Sequence, residues 1–291
     1  MTMAVPNDFD FVRELVRREA AIVVDETKSY LIESRLTPLA RRAGVETIAG
    51  LVREVKRGST DLRRQIIEAM TTNETSFFRD VHPFEALATT VFPALAKARA
   101  AQRKLRIWSA ACSTGQESYS IAMSVRTRAP QLAGFDVMIH GTDISEAVLA
   151  QAREGRYAQL EMNRGLPASM VSQHFERDGV AWRVKPDLRA MTEFKQLNLI
   201  TPWRFAERFD IIFIRNVLIY FDLPTKQALL ERALSALAPD GYLFLGSSEM
   251  LSGVHDGFTL EREGRALWHR PASGMRTISP LNNSAATPIR T

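Results

Sequence analysis

The first quarter of the chain has apolar residues at helical spacing. They recur at intervals of three and four, as in Phe9, Val12, Leu15 and Val16. That spacing is typical of one face of an amphipathic helix, and no strand-like alternation accompanies it. We therefore predict an all-helical unit over residues 1–71. Within it, Pro38 either kinks the second helix or starts a new helix with Thr37 as its cap.

From residue 84 onwards, short apolar strands alternate with helical segments. The predicted strands are Leu105–Ser109, Asp136–Gly141, Glu193–Leu197, Phe209–Ile214 and Gly241–Gly246. Such alternation indicates a parallel sheet with crossover helices. We therefore predict an α/β, Rossmann-like domain over residues 84–270, joined to the helical unit by a polar hinge at 72–83.

One connection in this domain is too long for a simple crossover. It spans roughly forty residues before the strand at Glu193, whereas most connections have only a few. Within it, Asp178-Gly179 is a type I′ hairpin signal. The residues that alternate as on a half-buried strand are Val180, Trp182 and Val184. We predict a small antiparallel β insert at about 155–192.

Composition narrows the class of protein. The chain has 291 residues, of which 45% are hydrophobic, as in a globular protein. It has no apolar run of about 18 residues and its N-terminus lacks signal-peptide features. We expect a cytoplasmic protein without membrane insertion. The single cysteine, Cys112, excludes an internal disulfide, and the five scattered histidines predict no metal site. Residues 271–291 are poor in core-forming side chains and are predicted to be a disordered tail.

Positive charge is concentrated in the helical unit. The formal net charge is +5, and the stretch from Arg35 to Arg64 holds eight basic residues against three acidic ones. A basic cluster on helices indicates an acidic partner, which could be nucleic acid, a membrane or an acidic protein surface. A solvated helix face is the alternative.

The segment RIWSAACSTGQESYSIAM, residues 106–123, runs from a strand through a small-residue turn into a helix. A doubly wound domain keeps its cofactor loop at this place. The loop has only Gly115, where a pyrophosphate loop carries three glycines, and Glu117 would repel a phosphate. S-adenosylmethionine has no phosphate, and its methionyl end carries an ammonium. The loop therefore predicts S-adenosylmethionine, with Glu117 near that ammonium.

Three further places follow predicted strands. Asp143 comes after the second strand, where an acid accepts hydrogen bonds from ribose hydroxyls, or else caps the next helix. Asn198-Leu199 and the segment RNVLIYF at 215–221 follow the next two strands, at the edge where ligands bind in such sheets. Asn198 is equally an ordinary turn asparagine, and Tyr220 equally a core aromatic.

Five motifs together carry a resemblance to a known family. They are TTNETSFFRD, RIWSAACSTGQESYSIAM, GTDIS, RNVLIYF and GYLFLGSSE. In this order and spacing, from about Asp8 to Arg270, the chain resembles the chemotaxis receptor methyltransferase family, CheR. The resemblance implies a protein-glutamate O-methyltransferase. Such an enzyme moves methyl from S-adenosylmethionine to glutamate side chains of chemoreceptors, the methyl-accepting chemotaxis proteins. It forms methyl esters in sensory adaptation and leaves S-adenosylhomocysteine.

The resemblance also implies roles for individual residues. From the hinge, the expected members of the cofactor site are Asn73, Thr75 and Arg79. Glu117 would hold the methionyl ammonium and Asp143 the ribose. The adenosine side would be lined by Asn198, Leu199, Asn216 and Val217. Nearest the transferred methyl would lie Arg79 and Tyr220.

The expected partner is the acidic helical bundle of the receptor cytoplasmic region. Its contacts on the basic helices would include Arg53, Lys56 and Arg57. Family members that dock on a receptor C-terminal pentapeptide have a longer, glycine-containing loop in the β insert. Because Asp178-Gly179 closes the hairpin at once, we expect no pentapeptide tether here.

Other functions compete with this interpretation. A nucleic-acid or small-molecule methyltransferase is one alternative. Amino-methylating enzymes of nucleic acids usually carry an Asn/Asp-Pro-Pro-aromatic element after the fourth strand, where this chain reads RNVLIYF. We therefore expect no nucleic-acid partner. A non-catalytic module that binds S-adenosylmethionine and signals its level is an alternative of another class.

Overall fold

The computed structural model describes residues 6–272. The N-terminal unit is helical, with α1 Pro6–Ala20, α2 Ser29–Arg42, α3 Ile48–Lys56 and α4 Thr60–Met70. Thr47 and Ser59 cap α3 and α4, each accepting a backbone N–H with its hydroxyl oxygen. Because α2 runs through Pro38, the alternative of a new helix capped by Thr37 is wrong. The four helices bury a common apolar core that includes Val12, Leu36 and Leu51.

The second unit alternates strands and helices. Its helices are α5 His82–Ala86, α6 Phe92–Ala98, α7 Gln116–Arg128, α8 Glu146–Glu154, α9 Gln159–Met162, α10 Ala168–His174, α11 Pro186–Arg189 and α12 Leu223–Ala236. Its strands are β1 Lys104–Ala110, β2 Asp136–Asp143, β3 Arg156–Ala158, β4 Phe175–Asp178, β5 Ala181–Val184, β6 Thr192–Gln196, β7 Phe209–Ile214, β8 Leu237–Leu245, β9 Phe258–Glu263 and β10 Ala266–Pro271. Across residues 6–272, every helix falls short of the length and apolar character needed to span a membrane.

Seven strands form the main sheet, in the order β6-β2-β1-β7-β8-β10-β9. The first five are parallel, as predicted, and the α/β fold class is confirmed. The antiparallel hairpin of β9 and β10 was missed, because β9 is an edge strand and residues 259–263 are exposed. Pro271, which the sequence placed in the tail, ends β10 opposite Phe258. Ala272 of that predicted tail is also described, and its N–H donates to the Gly257 carbonyl at 2.9 Å, whereas residues 273–291 lie outside the described residues.

The order of the strands creates a crevice between β1 and β7. The chain continues from β1 to β2 on one side and from β7 to β8 on the other. In open α/β sheets, ligands bind at such a reversal, beyond the carboxyl ends of the strands. Ala110, the last residue of β1, pairs with Thr142 of β2 and Ile214 of β7. The segments that follow these three strands therefore lie side by side.

The predicted β insert is present as a three-stranded antiparallel sheet in the order β3-β5-β4. Its tight turn lies one residue later than predicted. Asp178 pairs with Ala181, so the turn residues are Gly179 and Val180. Gly179 has φ 62°, whereas Val180 is not among the residues with positive φ, as in a type II′ rather than a type I′ turn. Val180 is consequently 87% exposed and does not belong to the strand.

Candidate active site

A cleft opens at the carboxyl ends of the parallel strands, between the two units. It holds about 960 Å³ of empty space, counting its open mouth. All ten residues predicted for the cofactor and methyl sites line it: Asn73, Thr75, Arg79, Glu117, Asp143, Asn198, Leu199, Asn216, Val217 and Tyr220. The fold thus gathers segments that lie far apart in sequence around one cleft.

Gly115 shapes the loop between β1 and α7. It has φ +93° and directly precedes the first residue of α7. A Cβ atom there would lie 2.9 Å from Ala152 Cβ and 3.2 Å from the hydroxyl oxygen of Tyr157. Both the conformation and the contact therefore require glycine. In the same loop, burial raises the pKa of the Cys112 thiol, which disfavours the thiolate form that a nucleophile requires.

Glu117 lies in the first turn of α7, and both of its carboxylate oxygens are engaged. Ser109 Oγ donates to Oε1 at 2.7 Å, and Arg215 Nη1 donates to Oε2 at 2.9 Å. Arg215 Nη2 also donates to Asp80 Oδ2 at 2.6 Å, and its side chain is only 2% exposed. A carboxylate offers about four lone-pair positions, so Glu117 keeps acceptor capacity toward the cleft. A cation there would share Glu117 with Arg215.

Sequence reasoning gave Arg215 no role. The signal was a charged residue directly after the buried strand β7, since a buried arginine must find partners for its charge. Which acids would serve as partners could not be read from the chain, because Glu117 and Asp80 come from two other segments.

Asp143 ends β2 and joins two loops. Its Oδ2 accepts the Ser113 N–H at 2.9 Å, and its Oδ1 accepts the Ser145 N–H at 3.0 Å. Burial raises the pKa of this carboxyl group, while the backbone hydrogen bonds oppose the rise. Ser145 is the residue before α8, but that helix has no side-chain cap. Asp143 therefore links the cofactor loop to the α8 entrance rather than simply capping α8, and it retains lone pairs toward the cleft.

The hinge is tied to both units. Ser113 Oγ donates to the Asn73 carbonyl at 2.8 Å, and Arg35 Nη2 donates to the Thr72 hydroxyl oxygen at 2.9 Å. Farther along, Phe78 N–H donates to Ser120 Oγ at 2.9 Å. These contacts hold Asn73 and Thr75 at the cleft. Arg79 lies there too, and its Nη1 donates to the Glu74 carbonyl at 2.9 Å.

One wall of the cleft comes from the end of α1 and the segment after it, which sequence reasoning missed. Ala20 and Ile22 line the cleft. Asn198 Nδ2 donates to the Glu19 carbonyl at 2.6 Å, and Val23 N–H donates to the Tyr220 carbonyl at 2.9 Å. The side-chain amide of Asn198 therefore links the helical unit to the α/β unit. Leu199, which is 7% exposed, belongs to the apolar cluster beneath.

The predicted receptor-contacting residues lie elsewhere. Arg53, Lys56 and Arg57 are exposed at the end of α3 and do not line the cleft. Arg57 Nη1 donates to Glu54 at 2.8 Å, and the Lys56 ammonium lies 5.0 Å from the Phe11 ring centre. The basic cluster is therefore partly neutralised by its own helix. Within residues 6–272, no group of three or more His, Cys, Asp or Glu side chains could hold a metal ion.

The polar groups of the cleft fit S-adenosylmethionine. Glu117 and Asp143 keep free acceptor positions, which suit an ammonium and a pair of ribose hydroxyls. Arg79 supplies a cation for the cofactor carboxylate or for a substrate carboxylate.

Comparisons with known proteins agree with this fit. The profile "CheR methyltransferase, SAM binding domain" matches residues 73–266, and "CheR methyltransferase, all-alpha domain" matches residues 7–71. Chemotaxis protein methyltransferase 1 of Pseudomonas aeruginosa is 42% identical over 258 residues, which cover 87% of this chain and 93% of that protein. The chemotaxis protein methyltransferase of Vibrio parahaemolyticus is 40% identical over 257 residues, with 87% and 92% covered.

A solved structure also aligns. The glycopeptide N-methyltransferase complexed with S-adenosylmethionine covers 60% of this chain and 51% of its own, at 12% identity and a TM-score of 0.35. This likeness is too distant to support a conclusion about the present chain.

Proposed function

The chain belongs to the CheR methyltransferase family, and we propose that it methylates glutamate side chains of chemoreceptors, forming γ-carboxyl methyl esters. Its cofactor is S-adenosylmethionine. The proposed substrates are the helical bundles in the cytoplasmic region of methyl-accepting chemotaxis proteins, so the enzyme would act in the cytoplasm. The observation that carries the proposal is the single cleft that collects Arg79, Glu117, Asp143 and Tyr220.

The reaction requires positioning more than acid–base chemistry. When bound, S-adenosylmethionine supplies an electrophilic methyl on its sulfonium. A glutamate carboxylate has a pKa near 4.3, so at neutral pH it is already an anionic nucleophile and needs no general base. Holding two reactants in line and excluding water lowers the barrier by several kcal/mol.

The chain offers two side chains for this positioning. Arg79 would orient a carboxylate, either the substrate's or the cofactor's, through its guanidinium. Tyr220 would donate its hydroxyl hydrogen near the reacting centre. The backbone of Tyr220 is held by the Val23 N–H, which limits movement of the rim.

Methyl-transfer assays test the proposal and its rivals. Purified enzyme and radioactive S-adenosylmethionine are incubated with chemoreceptor cytoplasmic fragments, and the product is treated with alkali. Label on the receptor that alkali releases is the expected result. Alkali-stable label, label only on nucleic acid or small molecules, or cofactor binding without any transfer would each contradict it.

We predict that Arg79→Ala and Tyr220→Phe both lower turnover at saturating cofactor. Each loses a hydrogen bond near the reacting centre, and such a loss reduces the rate about 10-fold or more where the bond is charged. Single-turnover methyl transfer measures the effect. Near-normal turnover in both variants would remove the two residues from the catalytic role.

We predict that charge reversal of Arg53, Lys56 and Arg57 to Glu raises the KM for receptor and leaves cofactor affinity unchanged. Exposed charges steer an acidic partner, and salt screens them beyond about 10 Å at 0.1 M ionic strength. The KM of the unmodified enzyme should rise with salt for the same reason. A matched control reverses Lys97, Arg126 and Arg128, which are exposed on α6 and α7 and change the net charge equally. If both triple variants behave alike, the cluster is only a solvated face.

We also predict that no receptor pentapeptide tether docks on the β insert. A two-residue turn at Gly179-Val180 leaves little backbone to shape a peptide groove beside β4 and β5. Calorimetric titration with an aromatic-rich receptor C-terminal pentapeptide should show no heat in a sample that binds cofactor normally. Micromolar binding that disappears when the turn at Gly179 is altered would contradict this prediction.

A further inference from the structure

A buried carboxylate holds one wall of the cleft in place. Glu249 follows β8 and is 8% exposed. Its Oε2 accepts the N–H groups of Gly246 and Asn216 at 2.7 and 2.8 Å. Its Oε1 accepts those of Val217 and Leu218 at 2.9 and 2.8 Å. Within residues 6–272, no basic side chain forms an ion pair with Glu249. Its negative charge is therefore stabilised by hydrogen bonds from four backbone amides.

The three consecutive amides of 216–218 depend on this carboxylate. They lie beyond the end of β7 and outside its ladder with β1 and β8. Asn216 has φ +59°, an unusual backbone conformation for a side-chain-bearing residue. Successive N–H groups in such turns converge on one point and form an anion-binding nest. Here the anion is a side chain of the protein itself.

Gly246 shows how closely the two segments meet. A Cβ atom on Gly246 would lie 2.8 Å from Glu249 Oε2 and 2.9 Å from the Asn216 nitrogen. Real Cβ atoms do not approach so closely, so only glycine allows this contact. The end of β8, the carboxylate and the 216–218 segment therefore form one packed unit.

We propose that Glu249 is a positioning residue for methyl transfer, acting through the backbone of 216–218. Asn216 and Val217 line the cleft, and Tyr220, which also lines it, follows Val217 by three residues. Fixing these amides fixes the adenosine wall and the rim beside the reacting centre. The inference deepens the proposed function and rests on it for the reaction, but not for cofactor binding.

Glu249→Gln tests the proposal with little change in volume. The amide oxygen still accepts two N–H groups, whereas the new NH₂ group faces two other donors. We expect the affinity for S-adenosylhomocysteine to fall about 10-fold. We expect kcat to fall about 100-fold, the scale of a 1 Å misplacement. Hydrogen exchange at the amides of 216–218 should become faster.

Asp210→Asn is the matched control. Asp210 is a buried carboxylate at the opposite end of β7, and it accepts the Arg106 N–H and the Arg99 Nε–H. This variant should lower the melting temperature yet keep affinity and kcat of the folded protein within about twofold of the unmodified values. Gly246→Ala disturbs the same nest from the end of β8 and should cause the same losses as Glu249→Gln. This second variant tests the proposal if Glu249→Gln does not fold.

The experiment distinguishes failure of the Glu249 proposal from failure of the proposed receptor substrate. Unchanged affinity and exchange in Glu249→Gln would overturn the proposal, as would equal losses in Glu249→Gln and Asp210→Asn. If receptors are not the substrate, unmodified enzyme and variants alike transfer no methyl to them. Affinity and amide exchange then still decide whether Glu249 positions the wall.

Discussion

Arg215→Ala should lower the free energy of unfolding by about 3 to 5 kcal/mol and abolish measurable methyl transfer. The side chain is 2% exposed and donates to Glu117, to Asp80 and to the Arg79 carbonyl at 2.9, 2.6 and 3.0 Å. Removing one partner of a buried ion pair leaves the other charge uncompensated, which costs more than the pair itself contributes. Glu117 would then lose the cation that holds its carboxylate, and the Arg79 carbonyl would lose its hydrogen-bond donor.

Chemical denaturation and cofactor calorimetry measure the two effects. Arg215→Lys should be intermediate, because an ammonium cannot reproduce the fork of a guanidinium. The matched control is Arg99→Ala. Arg99 also bridges two carboxylates, Asp210 and Asp240, but it does not line the cleft. That variant should lose stability and keep its cofactor affinity. Normal affinity in folded Arg215→Ala would contradict the role given to Arg215.

Asp143→Ala should weaken S-adenosylhomocysteine binding by roughly tenfold or more and destabilise the protein as well. A hydrogen bond to a charged group contributes about 1.5 to 3 kcal/mol, and an orphaned buried N–H costs about 1 to 3 kcal/mol. The alanine variant loses the ligand contact and orphans the amides of Ser113 and Ser145. Asp136→Ala, at the exposed opposite end of β2, is the control and should keep full affinity.

The pKa of Asp143 predicts a pH dependence. Burial raises this pKa above the ordinary value of 3.8, so the carboxyl takes up its proton at a higher pH than usual. A protonated carboxyl accepts fewer hydrogen bonds. As the pH is lowered, the affinity for S-adenosylhomocysteine should therefore fall at a higher pH than that at which ordinary aspartates take up protons. The free energy of unfolding depends on pH in the opposite direction from the affinity. Because the folded pKa is raised, Asp143 favours the folded state at low pH, and this contribution is lost as pH rises through the folded pKa. Calorimetry across pH, with Asp143→Asn as reference, measures the first effect.

Local patterns were sufficient for most of the architecture. The strands β1 and β7 are short apolar runs bounded by turn residues, and helical spacing marked the N-terminal unit. Candidates such as Glu117 and Asp143 were predictable because the end of a parallel strand has a known place in a doubly wound sheet. These inferences needed only periodicity, turn chemistry and position along the chain.

The sequence by itself therefore determined the helical unit, the parallel sheet and the residues that reach its carboxyl edge. Tertiary structure alone decided which of those residues meet. Arg215 pairs with Glu117 across 98 residues of sequence, and the amides of 216–218 meet Glu249 about thirty residues away. The position of the turn at Gly179-Val180 was likewise fixed by the pairing of β4 with β5. Long-range contacts depend on strand order and register, and no local pattern encodes the partner of a buried charge or of an unpaired amide.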